Sequence, residues 1–224
     1  MISNKLLQAI VSESQIIDSA VINDNSLVFD QLTEFSNLVL KWTKTHNLTA
    51  IKDTDNFLKK HIVDSLSLLA FIKHFKTDSN LELLDVGSGA GFPCMPLGIA
   101  DPSLQIISVD ASLKRIVFQK MVVRTIGLAN VIPIHARMEG FKENNFDVIT
   151  CRAVSSLSEV VSKTSQSIKD RGAWLLMKGH YPDDEISDFN ASALAVDFHI
   201  KAVHEIQTPS ISEHRHIVQI ERKH

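Results

Sequence analysis

Cysteine is close to absent from this chain of 224 residues: there are two, Cys94 and Cys151, and neither sits in a CxxC pair. Two isolated thiols cannot build a disulfide framework, so a reducing cytoplasm is the expected setting. Long apolar runs are missing too. No stretch nears the roughly 18 residues that would span a bilayer. The opening "MISNKLLQAIVSESQ" interrupts its apolar residues too often for a signal peptide. No membrane partner is expected. Pro-rich linkers, internal repeats and low-complexity tracts are also lacking, which leaves one large α/β domain or a domain with a helical extension. Of the ten histidines, His214 and His216 stand two apart. A zinc site needs three or four convergent ligands, so no metal is expected.

Positive charge is in deficit overall, with a net charge of −3, and the chain as a whole does not read as a nucleic-acid binder. Its distribution says more. Between positions 111 and 181 eleven basic residues stand against five acidic ones. A local basic face suits a partner rich in phosphate, although solvated helix faces of both signs give the same count.

What is present falls into two rhythms. Up to about residue 75 the pattern is helical: Val28, Leu32, Phe35, Val39 and Trp42 share one helix face. Leu58, Ile62, Leu66 and Leu69 repeat that pattern in a later helix, with Asp53 or Thr54 as its N-cap. From 81 onward the strand-like runs "LELLDVG", "LQIISVD", "NVIPIHA", "FDVITCR" and "AWLLMKG" alternate with helical stretches such as "SLKRIVFQKMVVRTIG" and "SLSEVVSKTSQSI". That alternation predicts an α/β fold with a mainly parallel sheet. "DFHIKAVHEIQTP" and "HRHIVQIER" are too close together for a crossover helix, so they are expected to pair antiparallel. The expected division is a helical extension over 1–76, packed on a sheet domain over 77–224.

The sharpest local signal is "LLDVGSGAGFPCMPLGIA", 83–100. Gly87, Gly89 and Gly91 follow a strand and lead into a helix, where ligands of open α/β sheets bind. A tight turn needs one such glycine, whereas three at alternate positions favour a site at which backbone and ligand approach closely. Asp110 ends the next strand, 19 residues beyond Gly91. An acid at that distance can take both hydroxyls of a ribose, which implies an adenosine cofactor. The spacing is GxGxG, with Phe92 where a dinucleotide fingerprint has its third glycine, and Pro93 removes a helix N–H that a pyrophosphate would use. Asp85 also disfavours a polyphosphate and could orient a cationic aminoacid–sulfonium ligand. These features point to S-adenosylmethionine rather than NAD.

"DVGSGAGFP" (85–93) followed by "ISVD" resembles the first two motifs of Rossmann-like class I S-adenosylmethionine-dependent methyltransferases. Together with "NLTAI" (47–51), "HIVDSL" (61–66), "ARMEGF" (136–141), "RAVSSL" (152–157), "MKG" (177–179) and "RHIV" (215–218), the chain is similar to the RsmG (GidB, glucose-inhibited division protein B) family. The resemblance implies a seven-stranded, mostly parallel sheet ending in an antiparallel hairpin. It also implies methylation of guanine N7 in small-subunit (16S) ribosomal RNA, with that RNA as partner and a monomeric enzyme. Cofactor contacts carried over residue by residue fall on Gly87, Phe92, Met138, Glu139 and Arg152, beside Gly89, Gly91 and Asp110. Phe92 is expected to cover the cofactor and Met138 to wall its adenine. Lys114, Arg115, Arg137, Arg152, Lys178 and Arg215 are candidates for RNA phosphates. Cys94 and Met95 stand where the family commonly has Gly-Ile, and Glu213 and His214 where it commonly has Gly-Glu.

Guanine N7 carries a lone pair at neutral pH, so no general acid or base is named. Two rivals stay open. Cytosine-C5 chemistry would use Cys151 as a thiolate. A non-catalytic ribosome-assembly module would keep the fold without the reaction.

Overall fold

The helical rhythm of the first third becomes a layer of short helices. The computed structural model describes residues 1–14, 26–51, 53–76, 80–141, 146–152, 155–207 and 213–223. Helix α1 spans Asn4–Ser14 and α2 spans Ser26–His46. A single later helix is expected over Leu58–Leu69, and here the chain departs from expectation. It runs as α3 (Thr54–Phe57), a π-helical turn (Leu58–Val63), α4 (Asp64–Ser67) and α5 (Leu69–Ile72). Asp53 caps α3 by accepting the Asn56 N–H at 2.8 Å. The π turn adds a residue without breaking the helical path. Leu58, Ile62 and Val63 stay buried while Lys60 and His61 reach the rim of the sheet.

Beyond residue 80 the remaining helices alternate with strands: β1 (Glu82–Val86), α6 (Cys94–Ala100), β2 (Gln105–Asp110), α7 (Leu113–Ile126), β3 (Val131–His135), β4 (Phe146–Arg152), α8 (Leu157–Thr164), β5 (Ile168–Lys178), α9 (Asp183–Ala191), β6 (Phe198–Glu205) and β7 (His216–Arg222). The seven strands lie in the order β3-β2-β1-β4-β5-β7-β6. β1 to β5 are parallel, and β7 runs antiparallel between β5 and β6. The order reverses between β1 and β4, which opens a crevice at the C-terminal strand ends. β5 begins five residues before the expected "AWLLMKG": α8 stops at Thr164, and Ile168 pairs with Phe146 across a register shift in β4. Part of the expected boundary, 77–79, lies outside the described residues.

Alternation along the strands splits the core between two faces. Leu83, Ile106, Val148, Leu175, Met177 and Ile217 join one apolar cluster with α6, α7 and the amino-terminal helices, including Leu7, Phe35 and Leu66. Leu84, Val109, Ile149, Trp174 and Leu176 form the other with α8 and α9. Trp174 is fully buried there, and its Nε1–H donates to Thr164 Oγ1 at 2.8 Å, which satisfies its polar end. The amino-terminal helices therefore share one apolar cluster with the sheet.

Candidate functional site

At the end of β1 the chain turns through Gly87, Gly89 and Gly91 at φ values of 68°, 58° and 94°. All three lie in the region that glycine adopts without a Cβ penalty. The turn is fastened to β2. The N–H groups of Gly87 and Ser88 donate to the Val109 carbonyl at 2.7 and 3.2 Å. Behind it lies a buried polar relay: Gln119 Nε2 donates to Ser88 Oγ and to the Gly89 carbonyl, both at 2.8 Å, and Ser108 Oγ donates to Gln119 Oε1 at 2.5 Å.

Asp110 closes the arrangement. Its Oδ2 accepts the Gly89 N–H at 2.9 Å, its Oδ1 accepts the Ser112 N–H at 2.8 Å, and Arg115 reaches Oδ2 at 3.3 Å. One carboxylate thus ties the glycine turn to the end of β2. A Cβ built on Gly89 would meet nothing nearer than the Gly87 carbonyl oxygen at 3.9 Å, so space lies open beside the turn. Asp85, at the end of β1, is fully buried; its Oδ2 accepts the Cys94 N–H at 3.2 Å, while Oδ1 has no protein partner. Burial pushes its pKa up to about 7.

Phe92 is expected to cover a cofactor with its ring and lies differently, whereas Met138 and Glu139 are expected to offer backbone groups to the adenine edge. Phe92 turns its ring inward, 5% exposed, against Phe35 and Phe57 of the helical layer. His61 stacks on it at 4.7 Å and the Arg152 guanidinium lies 5.2 Å from its centroid. The apolar helices offer that ring more contact than the crevice does. Glu139 is exposed, and its carboxylate pairs with Lys163 of α8 at 2.5 Å, which holds it below the usual range. Met138 is half-buried in the turn after β3, and that turn is anchored where the Ala136 N–H donates to the Asp110 carbonyl at 3.3 Å.

Across the switch point, Arg152 at the end of β4 enters a buried charge network. Its Nη1 donates to the Lys60 carbonyl at 3.0 Å and to Asp64 Oδ2 at 3.2 Å, and its Nη2 lies 2.7 Å from His61 Nδ1. Arg215 Nε stands 3.5 Å from Asp64 Oδ1, so two guanidinium groups share one carboxylate. Because His61 Nδ1 faces an obligate donor, it accepts. Its proton sits on Nε2 and is donated to Thr49 Oγ1 at 2.8 Å. Burial, and then the charges of Arg152, Arg215 and Lys60, drive the His61 pKa down to about 3. Burial raises Asp64 against the pull of both arginines. A cavity of about 310 Å³ opens here, lined among others by Lys60, His61, Asp64, Arg152, Lys178 and Arg215. A larger hollow of about 1300 Å³ lies between α1, α2 and residues 47–51. No strand end reaches it, so size does not mark the site.

This geometry, a glycine turn locked to a strand-end carboxylate in a 3-2-1-4-5-7-6 sheet, has relatives. A family model described as rRNA small subunit methyltransferase G (GidB) matches residues 29–218. The chain belongs to that family. A Neisseria gonorrhoeae ribosomal RNA small subunit methyltransferase G is 36% identical over 194 residues, covering 87% of this chain and 89% of the relative. One from Legionella pneumophila is 40% identical over 158 residues, covering 70% and 73%. Among solved structures, a SAM-dependent methyltransferase from Aquifex aeolicus superposes with a TM-score of 0.57 at 14% identity, covering 78% of this chain and 96% of that one. This chain thus joins membership of a methyltransferase family to the Rossmann-like fold of that solved structure.

In this GidB chain the six basic candidates divide between the two halves of the crevice. Lys114, Arg115 and Arg137 are exposed on the Asp110 side, whereas Arg152, Lys178 and Arg215 line the cavity at the ends of β4 and β5. Lys178 is a strut as well, donating to the Ser155 carbonyl at 2.9 Å and to Glu185 Oε2 at 2.7 Å. Cys151 is 4% exposed and packs with the cluster under α8, on the face opposite the helical layer, which disfavours a thiolate role. The sequence reading missed Lys60, His61, Asp64 and Gln119 as functional side chains. Gln119 had a signal in retrospect: it is a polar residue on the buried side of α7, next to Phe118.

Proposed function

We propose that this chain transfers a methyl group from S-adenosylmethionine to N7 of a guanine in small-subunit ribosomal RNA, working as a monomer in the cytoplasm. The observation that carries the reading is the contact of Asp110 with Gly89 beside open space at the switch point, in a chain matched to the family over 29–218. S-adenosylmethionine, when bound, supplies an electrophilic methyl group. The residues present suit it. Asp110 keeps acceptor capacity on Oδ1 for ribose hydroxyls, Asp85 has an unpartnered oxygen suited to a cationic amino acid, and Met138 offers a soft wall. Gly87, Gly89 and Gly91 let backbone approach the ligand, and Phe92 and Glu139 contribute main-chain groups.

The acceptor belongs on the other half. Guanine N7 is nucleophilic without deprotonation, so the chain's task is alignment and exclusion of water. No base is required beside it, in keeping with a His61 held neutral and committed to Arg152. Segment 1–76 walls this half, and the domain 77–224 supplies the strand ends. The major-groove edge of A-form RNA is out of reach of side chains. The guanine must therefore be splayed out or presented from a loop, with Lys114, Arg115 and Arg137 meeting phosphates on the exposed side. The test is nuclease digestion and mass spectrometry of ribosomal RNA from cells lacking the protein. One methylguanosine should disappear and return when protein and S-adenosylmethionine are added. An unchanged nucleoside profile would refute the assignment.

A further inference from the structure

Two cations that line the β4–β5 cavity hold a carboxylate that the mechanism does not use. Glu213, just before β7, bridges two cations from distant segments of the chain: Lys60 of the π turn, by an ion pair, and Arg215, whose Nη2 donates to Glu213 Oε2 at 2.9 Å. Glu213 is the most exposed member, with 47% of its side chain accessible against 29% for Lys60 and 16% for Arg215. Deeper in, Asp64 is 8% accessible and already serves Arg152 and Arg215. The inner carboxylate is fixed, whereas the outer one is half-exposed to water and can swing away at little cost.

Two cations converging on one exposed carboxylate present the donors that a phosphate oxygen needs. We infer that Lys60 and Arg215 form a subsite for an RNA backbone phosphate next to the target nucleotide, and that Glu213 occupies it until RNA displaces the carboxylate. The inference rests on the RNA methyltransferase reading and deepens it. Glu213 then sets an electrostatic threshold: a polyanion that brings a phosphate to this point replaces the internal pair, and a ligand without one does not. The two cations are held ready because Arg215 is braced by Asp64, and Lys60 by the π turn whose carbonyl binds Arg152.

The experiment compares wild type with Glu213→Gln, Lys60→Met and a control, Lys201→Met, which removes the same charge from β6. Filter binding to small ribosomal subunits from cells lacking the protein, and to their deproteinised RNA, is measured across a salt series. Calorimetric titration with S-adenosylmethionine and a methyl-transfer assay run in parallel. Glu213→Gln should bind RNA roughly two- to fivefold more tightly, as expected for release of an exposed ion pair. Its log–log salt slope should steepen by about 0.7, and that of Lys60→Met should flatten by about 0.7 with weaker binding. Lys201→Met should follow wild type. RNA affinity and slope unmoved in both Glu213→Gln and Lys60→Met, with methyl transfer intact, would overturn the subsite alone. A change in cofactor affinity with RNA affinity unmoved would assign the anion to the cofactor carboxylate and overturn it equally. Wild type that moves no methyl group to either RNA would overturn the functional reading, and this inference with it.

Discussion

Replacing two neighbouring glycines by alanine should separate binding from stability. At Gly89 the backbone sits at φ +58°, inside the left-handed well, and a Cβ meets only the Gly87 carbonyl at 3.9 Å. Gly89→Ala therefore costs about 1 kcal/mol of folding stability, the left-handed penalty for a side chain. Its methyl group, however, stands in the open space beside the turn. Affinity for S-adenosylmethionine should fall more than tenfold, at least about 1.4 kcal/mol. At Gly91 the backbone sits at φ +94°, and a Cβ would lie 2.5 Å from Met95 Cγ. Met95 is fully buried and has little room to yield. The backbone penalty of about 1–2 kcal/mol adds to about 1–3 kcal/mol of overpacking, so Gly91→Ala should lose about 2–5 kcal/mol. Urea unfolding followed by circular dichroism reads the stabilities, and calorimetric titration reads the affinities. Wild-type cofactor binding by Gly89→Ala, or a wild-type unfolding midpoint for Gly91→Ala, would refute the account of the turn.

Asp110→Ala removes the acceptor for the Gly89 and Ser112 N–H groups and should weaken S-adenosylmethionine more than tenfold, about 1.4 kcal/mol; an unchanged dissociation constant in calorimetry would contradict its role. Arg152→Met leaves Asp64 buried with Arg215 alone and should cost about 3–5 kcal/mol in urea unfolding. Arg152→Lys should not restore it, because one ammonium group cannot reach the Lys60 carbonyl, Asp64 and His61 together. The pH profile follows from buried groups of opposite sign, with Asp85 and Asp64 raised and His61 lowered. Asp85, raised from 3.8 to about 7, gives stability that is complete below about 4 and is lost as pH rises to 7. His61, lowered from 6.5 to about 3, gives stability that is present above 6.5 and is lost as pH falls toward 3. Asp85→Asn should therefore make unfolding free energy climb more with pH between 4 and 6.5 than it does in wild type, where Asp64 and Asp85 both oppose His61, and a profile parallel to that of wild type would contradict the assignment. A cationic ligand beside Asp85 should also release a proton on binding at pH 6, read by calorimetry in buffers of different ionisation enthalpy.

The strand ends were legible because their signals are local. "LLDVGSGAG" and "IISVD" place Gly87, Gly89, Gly91 and Asp110 at the tips of β1 and β2 by alternation and spacing alone. The antiparallel tail was legible for the same reason, since the short gap between its runs left no room for a crossover. The acceptor side was not, because its geometry is made by residues far apart. Arg152 meets His61 and Asp64 across about ninety residues, and their contact depends on a π turn that no 3.6-residue pattern announces. Phe92 shows the limit from the other side. Its position in the glycine motif was plain, but whether its ring faces ligand or helix depends on Phe35 and Phe57, which belong to another segment.

The last strand of the chain is not at the rim of the sheet; β7 slides between β5 and β6, and Ile217 joins the same apolar cluster as Leu7. A nascent polypeptide cannot complete this core until residues 216–222 have left the ribosome. At about 5–20 residues per second, the first helices wait on the order of ten seconds or more with their apolar sides uncovered. A message cut short before residue 216 loses two ladders and leaves β5 and β6 with unpaired edges, which is the kind of surface that draws strange chains together. The strand β7 is the keystone of this sheet.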